Sequence, residues 1–190
     1  MPLKPSYIPL LLPLGACLTE APCPVAFVVN PIDGACIFDE ASVLELVTRF
    51  DDGTLAKVND EPFVQVMDPG IRRNVYMTDY AIGETGVGTV ELYETVSPSG
   101  SDELTLTFPV GTLIVHEAVD REEGHGVLVK RHRSFDNLNG TDWWFGKVYD
   151  DGTYDTNACT PCTACHVRNE TEGLWGIPTV AQSGADVDGS

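Results

Sequence analysis

Short segments of alternating apolar and polar residues, separated by turn-forming clusters, fill the chain between residues 63 and 149. Alternation of period two puts successive side chains on opposite faces of a strand and is typical of half-buried β-strands. Turns rich in Gly, Asp, Asn and Ser favour antiparallel neighbours. We therefore predict an antiparallel meander of five to seven strands from these segments: 63–67, 74–77, 90–96, 104–108, 112–119, 126–130 and 143–149.

One helix is predicted before the strands. Asp39 is a residue type that caps helix N-termini, and Glu40 suits the positive end of the helix dipole. The turn cluster at residues 51–53 ends the pattern. Between Asp39 and this turn cluster, apolar residues recur at helical spacing: Val43, Leu44, Val47 and Phe50. The expected fold class is therefore α+β and mainly β.

A C-x-x-C-H segment, the attachment signature of a c-type haem, occupies residues 162–166. Cys162 and Cys165 would form thioethers with the porphyrin, and His166 would ligate the iron from the proximal side. We expect this segment to begin a short helix. Two alternatives stay open, a redox dithiol and a zinc site in which Cys159 joins the same three residues.

The charge of the chain limits its partners. It carries 11 basic and 29 acidic residues, for a formal net charge of −18, and 43% of its 190 residues are hydrophobic. Such a chain can form one domain with a real core. Its acidity argues against nucleic-acid binding and favours small neutral or basic partners.

The first 17 residues read as an export signal. Lys4 precedes an apolar run from Tyr7 to Ala16, which suits a signal peptide and is too short to cross a membrane. The run ends at Leu14-Gly15-Ala16-Cys17, which resembles a bacterial lipobox. We expect lipidation of Cys17 and a periplasmic or outer-membrane-anchored protein whose only membrane attachment is the lipid, and a plain signal peptide is the alternative.

The remaining cysteines and the chain ends define the expected organisation. Residues 18–38 are predicted to be an irregular linker, residues 39–177 the haem domain, and residues 178–190 a disordered tail. In an oxidising compartment, two of the three remaining thiols would pair. Cys23 with Cys36 would close a short loop, whereas either one with Cys159 would connect the N-terminal segment to the haem segment.

Four motifs between about residue 74 and residue 166 resemble the cytochrome P-460 family and its relative cytochrome c′-beta. They are Arg73-Asn74-Val75-Tyr76, residues 108–117 (FPVGTLIVHE, against the family's F-P-x-G-T-x-x-V-K-E), residues 142–146 followed by 150–153, and the C-x-x-C-H segment. The resemblance implies a β-rich haem pocket with covalent haem c. It also implies that the haem binds small ligands such as nitric oxide or acts on small nitrogen compounds. Because relatives tend to be dimers, it further implies a homodimer.

The chain departs from the family at one informative position. The family's V-K-E lysine is cross-linked to the porphyrin and accompanies hydroxylamine oxidation, and here His116 takes its place. We therefore do not expect that activity to carry over. By alternation His116 shares a face with Thr112 and Ile114, and it can be a distal hydrogen-bond donor, a sixth iron ligand or a residue without such a role. The family's distal carboxylate corresponds to Asp155.

Three further features lie near the expected pocket. The basic segment 130–133 would neutralise haem propionates or form a solvated strand end, and His125 is expected to be exposed in a turn. Trp143 and Trp144 must face opposite sides, and either can pack on the porphyrin or in the core. The function classes left open are a ligand-binding haem protein, which can also be a haem oxidoreductase, an electron-transfer cytochrome with a redox partner protein, and a zinc lipoprotein without haem.

Overall fold

Strands dominate the computed structural model, which describes residues 23–64, 70–96, 99, 106–120, 124–131, 143–149, 151–155, 174 and 176–177. Within these residues, β1 (Phe27–Val29) and β2 (Cys36–Phe38) form a hairpin. Seven further strands form one antiparallel sheet. They are β3 (Ala56–Lys57), β4 (Phe63–Val64), β5 (Arg72–Met77), β6 (Leu113–Ala118), β7 (His125–Lys130), β8 (Trp143–Val148) and β9 (Tyr154–Asp155).

The large sheet follows the predicted meander. Its hydrogen-bonded order is β3-β5-β6-β7-β8-β9, and β4 pairs with β5 beside β3. Every pairing is antiparallel, and a helix precedes the sheet in the chain. The predicted fold class is therefore confirmed, while the short helix expected at residues 162–166 lies outside the described residues. None of the described helices is long and apolar enough to cross a membrane.

The first helix, α1 (Glu40–Val47), forms where the capping pattern predicts it. The Asp39 carboxylate accepts a hydrogen bond of 2.9 Å from the Ser42 backbone N–H, which satisfies one of the free donors at the helix start. Val43 and Val47 are buried against the sheet. The chain then makes a π-helical turn at Phe50–Thr54, in which Gly53 has a φ of +91° and ends the helical path.

Residues 90–96 form no strand, contrary to the prediction. They belong mostly to α2 (Thr89–Glu94), which begins after Gly88. The buried residues of this segment are spaced three and four apart and place one helix face on the core: Thr89, Leu92, Tyr93 and Val96. Because Val90, Leu92 and Val96 also fall on one side of a two-residue alternation, the segment fitted a strand pattern as well, and packing against the sheet decided its conformation.

Two other predicted strands are shortened or missing. Residues 106–108 are irregular, with Phe108 only 1% exposed, and Leu104 and Thr105 lie outside the described residues. The following Pro109 has no N–H to donate to a neighbouring strand. Strand β4 covers the first two residues of the predicted segment 63–67, and the remaining three are not described.

The segment expected to be an irregular linker contains ordered structure. In the hairpin, Phe27 pairs with Phe38 and Val29 pairs with Cys36. The rings of Phe27 and Phe38 meet edge to face, with 5.7 Å between their centroids. Cys23 and Cys36 form a disulfide with their Cα atoms 5.5 Å apart, so the local pairing among the three open alternatives is the observed one. The prediction of irregularity failed because the segment lacks the long alternation that marks a strand in a larger sheet.

The sheet buries both of its faces, and each face has its own helix. The α1 face packs on α1 and the hairpin, and its strand residues are Leu113, Val115, Val127, Val129, Trp144 and Val148. The α2 face packs on α2, and its strand residues are Phe63, Val75, Met77, Ile114, Leu128 and Trp143. Trp143 and Trp144 therefore lie on opposite faces, as predicted.

Candidate ligand-binding face

A row of polar residues crosses the α2 face, and both predicted distal residues belong to it. His116 on β6 pairs with Gly126 on β7, Gly126 pairs with Lys147 on β8, and Lys147 pairs with Asp155 on β9. Directly opposed residues point to the same side of a sheet. His116 and Asp155 are thus three strands apart, about 14 Å between their Cα atoms at the usual strand spacing.

The middle of this row has no side chain at Gly126. A Cβ placed there would lie 3.6 Å from the Cβ of His116, an ordinary contact, so an alanine would fit but would fill the space beside the imidazole. Lys147 leans away on the other side, with Nζ 5.7 Å from the ring centroid of Tyr149. Among the described residues, the row therefore has a gap, without a side chain, between His116 and Lys147.

A residue of the second helix, α2, contacts the imidazole of His116. The Tyr93 hydroxyl lies 3.5 Å from Nε2 of His116, and Tyr93 itself is 1% exposed. Burial raises the pKa of Tyr93, so its phenol stays protonated at any ordinary pH. The sequence reasoning missed Tyr93 because it placed this residue on a strand, although the spacing of the apolar residues around it also fitted a helix.

The basic segment at residues 130–133 is divided between the two faces where it is described. Lys130 is completely buried on the α2 face, and its Nζ lies 5.3 Å from the ring centroid of Trp143. Arg131 lies over Phe38 of the hairpin, with its guanidinium carbon 5.8 Å from the ring centroid. A solvated strand end is therefore the wrong interpretation for Lys130, while His132 and Arg133 are outside the described residues.

Trp143 brings a second polar group to the α2 face. Its ring packs edge to face on Phe108 at 6.0 Å and is 3% exposed. Within the described part of the structure, its indole Nε1 is buried and has no hydrogen-bond partner. Trp144 differs on the other face, because its Nε1 donates to Glu40 at 3.2 Å. A buried donor without an acceptor is unusual in a folded protein and indicates a missing partner.

Both segments that flank the C-x-x-C-H motif contact the α2 face. Asp155, at the end of the polar row, precedes Cys162 by seven residues, a path of at most about 24 Å. Leu174, eight residues after His166, is 2% exposed in the α2-face core. Gly176 lies so close to α2 that a Cβ on it would be 1.7 Å from the carbonyl oxygen of Val96. The motif is therefore bracketed by two attachments to one face.

A separate cavity of about 570 Å³ opens at the edge of the α1 face, lined by Phe50, Asp51, Glu117, Asp120, His125 and Tyr149 among others. Glu117 accepts a 2.8 Å hydrogen bond from Asn74, and its charge contributes, after burial, to raising the pKa of Tyr76. The ring of His125 packs 4.7 Å from that of Phe50 and is half-buried, so the expected exposed position was wrong. This cavity is on the opposite face from His116.

The remaining predicted site residues, namely Cys17, Cys159, Cys162, Cys165 and His166, lie outside the described residues. Among the residues that the structure does describe, no three His, Cys, Asp or Glu side chains cluster as a metal site. No protein-family model, curated protein or solved structure matches the chain. The functional interpretation therefore rests on the motif and on the geometry of the α2 face.

Proposed function

We propose that this chain is an exported c-type haem protein, with porphyrin attached at Cys162 and Cys165 and iron ligated by His166. The observation that carries the proposal is the pair of flanking attachments to the α2 face, at Asp155 before the motif and Leu174 after it. A motif between two residues that both reach this face can bring a bound group to it. The resemblance to the cytochrome P-460 family supports the same arrangement.

The described residues of the α2 face fit the polar edge of a haem. A porphyrin carries two propionate carboxylates, and a buried carboxylate needs hydrogen-bond donors or a positive charge. The buried indole N–H of Trp143 has no other acceptor within the described residues, and the ammonium of Lys130 is buried beside the same ring. These two groups supply what a propionate requires.

A bound haem would supply a redox-active iron that can take up a small ligand. The contact between Tyr93 and Nε2 of His116 supports a hydrogen-bonding role for His116, because it engages the ring nitrogen that iron coordination commonly uses. The gap at Gly126 gives a small ligand room beside the imidazole. We infer that His116 orients a ligand such as nitric oxide, and that Asp155 supplies a carboxylate at the far end of the row.

Export is supported by the disulfide between Cys23 and Cys36, because disulfides persist in oxidising compartments. Covalent attachment of haem also takes place outside the cytoplasm. The lipobox at Cys17 and the preceding apolar run fit a periplasmic protein held to a membrane by lipid. These features agree on the compartment without depending on one another.

The test is expression of the exported chain with a c-haem maturation system, followed by absorption spectra of the ferric and dithionite-reduced protein and a pyridine haemochrome. We expect a c-type haemochrome and a high-spin ferric band. The matched control is the double variant Cys162→Ala/Cys165→Ala, which should carry no covalent haem. Absence of haem from the unaltered chain, with zinc bound instead, would overturn the proposal.

The spin state decides the role of His116. If it orients a ligand, His116→Ala should leave the ferric spin state unchanged and speed ligand dissociation about tenfold, the equivalent of one good hydrogen bond. A low-spin spectrum that becomes high-spin in His116→Ala would instead identify His116 as the sixth iron ligand and the protein as an electron-transfer cytochrome.

A further inference from the structure

The hairpin of β1 and β2 carries most of the exposed apolar surface in the described part of the chain. Among the described residues, six large apolar side chains are exposed, and four of these belong to the hairpin: Val28, Val29, Ile32 and Ile37. Ile32, at the tip, is 91% exposed. An exposed cluster of this kind marks a surface that contacts a membrane or another protein.

Charge is scarce in the same segment. Asp33 is the only charged residue from Cys23 to Phe38, although 21% of the whole chain is charged and the net charge is −18. The Asp33 carboxylate also accepts a hydrogen bond of 3.1 Å from the Ala35 N–H inside the turn. The hairpin is therefore a part of this acidic protein's described surface that suits a weakly polar environment.

The base of the hairpin is fixed to the domain. The Asp39 N–H donates to the Ala26 carbonyl at 2.9 Å, and the disulfide ties Cys23, which precedes β1, to Cys36 at the start of β2. Gly111 approaches the segment so closely that a Cβ on it would be 2.6 Å from the Cβ of Pro24. The tip is thus held outward, and its aliphatic side chains do not fold back onto the core.

We propose that the hairpin tip, residues 28–37, inserts into the interfacial layer of the bilayer that anchors the protein. The inference rests on acylation of Cys17, which is part of the proposed function. Six residue steps join Cys17 to Cys23, a path of at most about 20 Å, so the lipid anchor keeps Cys23, and through its disulfide Cys36 beside the hairpin turn, near the membrane surface. Aliphatic side chains on an uncharged projection match the boundary between headgroups and acyl chains.

Radiolytic hydroxyl-radical footprinting tests this contact, because it labels side chains according to their exposure to water. The lipidated protein is measured in phosphatidylcholine vesicles and compared with the unlipidated Cys17→Ser form in solution. We expect labelling of Ile32 to fall at least fivefold in vesicles. Val119 and Tyr154, exposed to 40% and 45% elsewhere on the molecule, serve as internal controls and should keep their labelling.

Three results would overturn the proposal. One is unchanged labelling of Ile32 in vesicles. Another is protection of Ile32 already in the unlipidated form, which indicates that a second copy of the chain covers the tip. The third is a mature N-terminus that mass spectrometry shows to be unacylated. A pyridine haemochrome on the same samples reports the haem separately, so the footprint is interpretable whether or not the haem proposal holds.

A matched pair of variants separates insertion from mere proximity. Ile32→Asp places a charge at the tip and should restore labelling of Val29 and Ile37 in vesicles to the level in solution. Val119→Asp places the same charge outside the hairpin and should leave the protection of Val29 and Ile37 intact. Protection that survives Ile32→Asp would contradict insertion of the tip.

Discussion

The two faces of the central sheet are built from the same strands but differ in how their tryptophan indoles are hydrogen-bonded. On the α1 face, Trp144 donates to Glu40 at 3.2 Å. On the α2 face, Trp143 keeps a buried donor without an acceptor among the described residues. An indole that is hydrogen-bonded within the chain supports the fold, whereas a buried indole without an acceptor among the described residues is suited to meet a bound group.

The largest effect should come from breaking the α1 face. Trp144→Ala removes a side chain that is 6% exposed, and such a deletion lowers the free energy of unfolding by about 3–5 kcal/mol. Urea denaturation measures this change in the free energy of unfolding, and we expect the same loss in the haem-loaded and the haem-free protein. A loss confined to the haem-loaded form would contradict the structural role assigned to this face.

Two glycines, one near each face, lie too close to neighbouring atoms to accept a Cβ without a shift. Gly176→Ala forces the backbone away from Val96 and disturbs the segment after the haem motif, whereas Gly111→Ala, at a φ of +91°, disturbs the hairpin. Each should lower the free energy of unfolding by about 1–3 kcal/mol. Only Gly176→Ala should also alter the ferric haem spectrum. An altered spectrum in Gly111→Ala would contradict the assignment of the haem to the α2 face alone.

How much of the structure could be predicted from the sequence depends on how far apart in the chain the interacting residues are. The strands β5 to β8 and the cap at Asp39 follow from local patterns, and they were found where expected. The α2 helix was not, because its conformation depends on packing Leu92 and Tyr93 against a sheet that is distant in sequence. The shared row of His116 and Asp155 needed the strand register, and the Trp143 donor needed the full set of neighbours, neither of which a single sequence contains.

Tyr93 provides a pH test specific to the α2 face. Burial raises its pKa above the ordinary value of 10.0, so above about pH 10 the folded chain keeps a proton that the unfolded chain releases. Stability must therefore fall as pH rises, by up to about 1.4 kcal/mol per pH unit for this group. Tyr93→Phe should flatten that fall, measured by urea denaturation between pH 9 and 11.

The flattening should be partial, because burial raises the pKa of Tyr76 and Tyr80 in the same direction. Tyr154→Phe is the matched control, since Tyr154 is 45% exposed at the surface. Equal slopes for Tyr93→Phe and the unaltered protein would show that the phenol of Tyr93 is not held protonated by the fold.

The smallest effect separates the two indoles most directly. Both Trp→Phe variants lose the packing of a larger buried ring. Trp144→Phe also breaks the hydrogen bond to Glu40, whereas Trp143→Phe breaks none among the described residues, so in the haem-free Cys162→Ala/Cys165→Ala background Trp144→Phe should lower the free energy of unfolding by about 1 kcal/mol more than Trp143→Phe.

In the haem-loaded protein, Trp143→Phe should behave differently. If the indole donates to a propionate, the variant loses about 1 kcal/mol more stability with haem than without it, because a hydrogen bond formed only with haem is then missing. Urea denaturation of the four combinations, each indole variant with and without haem, isolates this contribution as the difference between the two losses for Trp143→Phe. A stability change for Trp143→Phe that is the same with and without haem would mean that its N–H does not meet the porphyrin, and the proposal would lose the buried donor on the α2 face that fits a propionate.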